Sequence, residues 1–200
     1  MRLTAIMAMT VAAAMTVQAG QTKRQPVIVY VQNNANVRPN AKNQAEDLAS
    51  SMFASIGVKI DWRNGEPDAS SSTQALAIRL ARNTPKTEKP GALAYAQPYE
   101  GVHIVVFWDR MECELTPIEL LAHVMVHEIT HILEGVSRHS ESGIMKEHWS
   151  ADDHRMMKTH PLSFAAEDVH LIHRGLAARN SSSGMEMASS RAPATTIWEK

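Results

Sequence analysis

A five-residue segment, His127-Glu128-Ile129-Thr130-His131, has the residue types and spacing of a metal site. On a helix, the two histidines lie one turn apart and face the same side. Two imidazoles at this spacing can bind one zinc ion, and the glutamate between them can take a proton from a metal-bound water. The segment therefore predicts a metal-dependent hydrolase, with His127 and His131 as Zn2+ ligands and Glu128 as the general base.

A third ligand must come from outside this segment, because a catalytic zinc ion normally has three protein ligands and one open position. Gly135 allows the chain to turn back after the helix, and His139 follows shortly afterwards. His139 is therefore the predicted third ligand. Three other residues stay open as alternatives, namely Glu134, Glu147 and His148.

The spacing of these residues resembles the zinc motif of the metzincin zinc peptidases, and most closely their matrixin branch. The residues that carry the resemblance are His127, Glu128, His131, Gly135, His139, Ser140 and Met145. The resemblance implies three histidine ligands, a glutamate base and a methionine turn beneath the metal, with Met145 as its methionine. The chain has three residues on each side of Gly135 where the family motif has two, so two extra residues precede His139.

The motif lies near the C-terminal end of a predicted helix from Pro117 to Glu134. Thr116 to Glu119 has the pattern of a capping box with proline in the first turn, and Gly135 occupies the expected left-handed end. Residues at helical spacing supply a buried face: Ile118, Leu121, Ala122, Met125, Ile129 and Ile132. His123 continues the histidine stripe by one turn, and we expect it to pack in the core or support a ligand rather than bind metal.

The other segments predict an α+β fold. Strand patterns cover residues 27–31, 58–62, 76–80, 92–99 and 103–108, and a helical pattern from Ala41 ends at Gly57. A capping box at 150–153 and a last helix from Ser163 follow the motif. The resemblance implies a zincin-like fold: a mixed β-sheet with a backing helix and an active-site helix, then a small helical C-terminal part. In such folds an edge strand, here 92–99, lines the cleft and pairs with an extended peptide.

The two ends of the chain have other compositions. Residues 1–19 predict a signal peptide, with Arg2 before an apolar stretch and Val17-Gln18-Ala19 at the cleavage site. The apolar stretch is short for a membrane span, so we expect no membrane association after cleavage. The peptidase domain is predicted at 26–178, and the serine-rich residues 180–200 predict a disordered tail.

Charge and cysteine content restrict the partners and the compartment. The chain has 20 Lys+Arg against 21 Asp+Glu, for a net charge of -1, which gives no indication of a nucleic-acid partner. The single cysteine, Cys113, cannot form an internal disulfide. An exported chain without disulfides indicates a secreted or periplasmic bacterial protein.

Together these features predict a secreted zinc-dependent metalloendopeptidase that hydrolyses peptide bonds in peptides or proteins through a zinc-bound water activated by Glu128. Two alternatives stay open. One is a non-catalytic envelope protein in which zinc only joins the helix to the following loop. The other is a zinc hydrolase that acts on a non-peptide envelope substrate.

Overall fold

The structure is a computed structural model that describes residues 25–68, 74–96 and 102–190. The predicted signal peptide, residues 1–19, lies outside these residues. In chain order the elements are β1 (Val27–Asn33), α1 (Pro39–Ser55), β2 (Ile60–Asn64), β3 (Leu76–Ala81), β4 (Ala94–Ala96), β5 (His103–Phe107), α2 (Pro117–Glu134), α3 (Ala151–Met157) and α4 (Ala166–Ser190). Two short 3-10 turns cover Trp108–Arg110 and Gly143–Met145.

The five strands form one mixed sheet in the order β2-β1-β3-β5-β4. Strands β2, β1, β3 and β5 are parallel, and β4 pairs antiparallel with β5 at the edge, with Ala96 opposite Ile104. Alternate residues such as Val29, Ile78 and Leu80 are fully buried, as the period of a strand requires. The α+β class and the mixed sheet are confirmed. The predicted strand 92–99 is shorter in the structure, and residues 97–99 lie outside the described part.

Helix α2 is the central element of the fold. It contacts α1, α4, the strands β4 and β5, and the 3-10 turn at Gly143–Met145. Every residue from Leu120 to Glu134 is consequently buried, including the histidines and glutamates of the motif. Buried polar groups need hydrogen-bond partners or ligands, so this helix brings chemically reactive groups into the interior.

The predicted bounds of α2 are confirmed, and Gly135 ends the helix in the left-handed conformation with φ 70°. The capping box predicted at Thr116 is wrong, because the Thr116 side chain accepts no bond from the helix backbone. The carbonyl of Thr116 instead accepts the first helical bond from the Leu120 N–H at 3.0 Å. Proline at the first position supplies the helical φ without a side-chain cap.

The C-terminal part is helical, as predicted. Ser150 and Asp153 form the predicted capping box, in which the Asp153 N–H donates to Ser150 Oγ at 3.2 Å and the Ser150 N–H donates to Asp153 Oδ2 at 2.7 Å. Helix α4 begins at Ala166 rather than Ser163 and continues to Ser190. It therefore overlaps the tail predicted from Asn180, since no proline interrupts the chain between 161 and 193. Residues 191–200 lie outside the described part. No helix in the described ranges has the length and apolarity to cross a membrane.

Helix α4 approaches the end of α2 through backbone contact at Gly175. A Cβ atom at this position would lie 1.7 Å from the carbonyl oxygen of Leu133. Replacing glycine by alanine inside a helix normally gains about 1 kcal/mol. Here we expect Gly175→Ala to lower the free energy of unfolding by about 1–3 kcal/mol, because a backbone carbonyl cannot move aside as a side chain does.

Urea unfolding monitored by circular dichroism measures this change. Arg174→Ala is the matched control, since Arg174 is the exposed neighbour on the same helix and its truncation should change stability by less than about 0.5 kcal/mol. A Gly175→Ala variant as stable as the wild type would contradict the close contact of the two helices.

Candidate metal centre

Three histidines meet at the base of a cleft between α2 and the loop that follows it. One ring nitrogen of each lies within 4.8 Å of the others, in a group formed by His127, His131 and His139. The Nε2 atoms of His127 and His131 are 3.0 Å apart. The His139 ring centroid lies 5.3 Å from that of His127 and 5.0 Å from that of His131. The structure thus brings together the three residues that the motif predicts as ligands.

The backbone of the 3-10 turn orients His127. Its Nδ1 lies 2.9 Å from the carbonyl oxygen of Ile144. A carbonyl only accepts, so Nδ1 carries the proton and the unprotonated Nε2 faces His131. The same turn contains Met145, which is fully buried, and its carbonyl accepts a bond from the Ser140 N–H at 2.7 Å. The predicted methionine turn therefore supports one histidine and anchors the loop that carries another.

Burial keeps the imidazoles neutral. It lowers the pKa of His127 to about 4, and it lowers the pKa of His131 to about 3 with help from the two neighbouring histidines. Partial burial also lowers the pKa of His139, although its side chain is more exposed than the others. Neutral imidazole is the form that binds metal, so the three rings are ready to bind a metal ion at neutral pH.

Glu128 lies between the histidines and the edge of the sheet. Burial raises the pKa of its carboxyl to about 8, while a hydrogen bond from the Ala96 backbone works in the opposite direction. A carboxyl whose pKa lies near neutrality can both accept and return a proton. A cation on the adjacent imidazoles would favour the ionised form, because opposite charge lowers a carboxyl pKa.

The cleft above these groups has a volume of about 870 Å³. Its floor contains His127, Glu128 and His131 from α2. Strand β4 and the residues before it, 89–96, form one wall, and residues 146–149 with His139 form the other. The Trp149 ring lies edge-on to His127 at 5.7 Å. A cleft of this size with a few convergent polar groups is typical of a ligand-binding site.

The three alternative ligands lie outside the histidine group. The side chains of Glu147 and His148 are 69% and 89% exposed at the rim of the cleft, 4.0 Å from each other. The Glu134 side chain is fully buried and turns toward Arg138, with Oε2 3.9 Å from Nε. Burial raises the pKa of Glu134 to about 7, and Arg138 partly offsets this.

His123 is fully buried and uses both ring nitrogens on backbone groups. Its Nδ1 lies 2.6 Å from the Glu119 carbonyl oxygen, and its Nε2 accepts a bond from the Leu162 N–H at 3.0 Å. His123 therefore joins α2 to the segment before α4 and has no nitrogen left for a metal. This agrees with the expectation that it packs in the core.

Two contributors to the site could not be identified from the sequence. Ala96 donates its backbone N–H to Glu128, and Asp168 places a buried carboxylate behind the loop that carries His139. A small residue on a strand gives no signal of such a bond. Asp168 is an acidic residue in the first turn of α4, a position that by itself indicates only a helix cap.

Comparison of the sequence with protein-family models gives no match, and comparison with curated proteins gives none either. Solved structures do match. An archaemetzincin from Methanopyrus kandleri superposes with a TM-score of 0.51 at 15% identity and covers 76% of this chain and 96% of its own. A zinc-dependent peptidase from Methanocorpusculum labreanum superposes with a TM-score of 0.52 at 10% identity and covers 72% of this chain and 99% of its own. The chain thus has the fold of this archaemetzincin and of this zinc-dependent peptidase.

Proposed function

We propose that the chain is an exported zinc-dependent metalloendopeptidase. One observation carries the proposal: three neutral imidazoles converge beside a buried glutamate, and the described residues add no fourth protein ligand to the group. Three nitrogen donors with one open position are the ligand set of a catalytic zinc site, whereas a structural site is closed by four. The fold shared with an archaemetzincin and with a zinc-dependent peptidase supports the same conclusion.

His127, His131 and His139 would hold the metal. Their ring nitrogens fit zinc, which prefers nitrogen and sulfur ligands, and the Ile144 carbonyl already fixes His127 with its lone pair toward the others. When bound, a zinc ion would supply Lewis acidity, which polarises a scissile carbonyl and lowers the pKa of a water toward neutrality.

Glu128 holds and moves the proton. Its carboxylate takes a proton from the attacking water and delivers it to the leaving amine. A group that does both must be neither strongly acidic nor strongly basic in the site. The bond from the Ala96 N–H fixes this carboxylate against β4. The base is therefore held at the strand that forms one wall of the cleft.

Strand β4 favours a peptide over a non-peptide substrate. It is the outermost strand of the sheet and lines the cleft beside Glu128. An extended peptide can add to such an edge through backbone hydrogen bonds, which give affinity for any sequence. A non-catalytic zinc protein would need neither this exposed edge nor the buried carboxyl.

A chelator-controlled cleavage assay tests the proposal. The protein is obtained from the secreted and periplasmic fractions, because residues 1–19 are predicted to direct it there. We expect it to create new N-termini in a mixture of peptides of random sequence. A zinc chelator should abolish this cleavage, and added zinc should restore it, because the three imidazoles would have lost and regained the metal. Cleavage that continues unchanged in the chelator would contradict the proposal.

A further inference from the structure

His139 is held differently from the other two histidines of the group. His127 and His131 are buried on α2, whereas His139 is exposed on the loop after Gly135. Among the described residues, its imidazole has no hydrogen-bond partner to fix the ring. Its position must therefore depend on the backbone, and so on the residues immediately before and after it.

Both neighbours of His139 bind one carboxylate oxygen. Arg138 Nη2 donates to Asp168 Oδ1 at 2.9 Å, and the Ser140 hydroxyl donates to the same oxygen. Arg138 Nη1 also donates to Ser140 Oγ at 3.1 Å. These hydrogen bonds link Arg138, Ser140 and Asp168 in a ring beside the backbone of His139. Asp168 binds both of the other members and so holds the ring to α4.

Asp168 is itself firmly held. Its side chain is fully buried, and its second oxygen, Oδ2, accepts a bond from the Ala165 N–H at 2.9 Å at the start of α4. A buried carboxylate is stable only when it is paired and fully hydrogen-bonded, and Arg138 supplies the opposite charge. Glu167, the adjacent acidic residue, also lies 3.4 Å from Arg138, but its side chain is 73% exposed.

We infer that Asp168 is a positioning residue for the third metal ligand. Through Arg138 and Ser140, it holds the His139 backbone so that the imidazole meets the two rings on α2. The inference rests on the proposed function, because it concerns the zinc site named there. Residues outside the ligand set that orient ligands typically contribute about 10–100-fold to metal affinity, and we expect a loss in this range when Asp168 is changed.

The test compares Asp168→Asn with Glu167→Gln in the full mature chain. Zinc affinity is measured by competition with a chelator, and the geometry of the site by the visible absorption of the cobalt-substituted protein. Asp168→Asn should weaken zinc binding about 10–100-fold and alter the cobalt bands. Glu167→Gln should leave both unchanged, since an exposed ion pair contributes little. Ser140→Ala keeps the buried charge pair of Arg138 and Asp168, and it should change zinc affinity and the cobalt spectrum in the same direction but by less. It serves as the test variant if Asp168→Asn does not fold.

A double-mutant cycle separates positioning from a general effect on the fold. If Asp168 acts through His139, then Asp168→Asn should cause no further loss of zinc affinity in a His139→Ala background. An equal loss in both backgrounds would overturn the inference. The inference would also be overturned if both Asp168→Asn and Ser140→Ala bound zinc with wild-type affinity and gave an unchanged cobalt spectrum. If the wild-type protein binds no zinc, the proposed function fails together with the inference. If the wild type binds zinc and the Asp168 variants behave as above, only the positioning role of Asp168 fails.

Discussion

Glu128→Gln should remove nearly all peptide hydrolysis while one zinc ion stays bound. The amide keeps the shape of the carboxyl and can still accept the bond from the Ala96 N–H, but it cannot take a proton. Loss of a general base typically costs about 10²–10⁴-fold in rate. The three imidazoles are unchanged, so zinc content should equal that of the wild type.

The same variant should be at least as stable as the wild type without metal. Burial raises the pKa of Glu128 from 4.5 to about 8, so the folded state binds more protons than the unfolded state between these values. Ionisation of this carboxyl in the unfolded state therefore lowers the stability of the metal-free protein as the pH rises from 4.5 toward 8, and a neutral amide removes this loss. Thermal unfolding of the metal-free proteins at several pH values measures the difference.

Glu119→Gln is the matched control for both measurements. Glu119 lies in the first turn of the same helix, far from the histidine group, and its change should leave hydrolysis at the wild-type level. A Glu128→Gln variant that kept full activity at normal zinc content would show that another group takes the proton.

His139→Ala should cost more zinc affinity than any change outside the ligand set, that is, more than about 100-fold. It removes one of three nitrogens that lie within 4.8 Å of one another. Because the His139 side chain is exposed, the metal-free variant should unfold at nearly the same temperature as the wild type. Hydrolysis should fall with the metal content.

Glu147→Ala is the comparison that decides the identity of the third ligand. The side chain of Glu147 is 69% exposed at the cleft rim, so its removal should leave zinc bound. Metal content and chelator competition are measured on both variants. If Glu147→Ala lowers zinc content and His139→Ala does not, the third ligand has been assigned to the wrong residue.

The features that the sequence predicts well are those with local signals. The apolar period around Ile129, the proline at 117 and the glycine at 135 define α2 because each acts within a few residues. The spacing of His127 and His131 likewise needs only one helical turn. The strand patterns at 27–31 and 76–80 follow the same rule and appear as β1 and β3.

The features that the sequence does not predict depend on contacts between distant segments. The role of Asp168 requires α4 to pack beside the loop of His139, and the bond to Glu128 requires β4 to pass the end of its side chain. The start of α4 also differs from the prediction, because several residues between Ser163 and Ala166 can begin a helix. Tertiary packing decides such cases, and the spacing of residues along the chain does not encode it.

The unequal burial of the three histidines implies an order of metal capture. His127 and His131 form a rigid two-nitrogen receptor on a helix that cannot open without disrupting the core. The His139 side chain is exposed, so this ligand can detach when the contacts of Arg138 and Ser140 with Asp168 break locally, while the other two histidines stay in place. Exchange of a bound metal ion with solvent should therefore require only this local opening and be far faster than global unfolding.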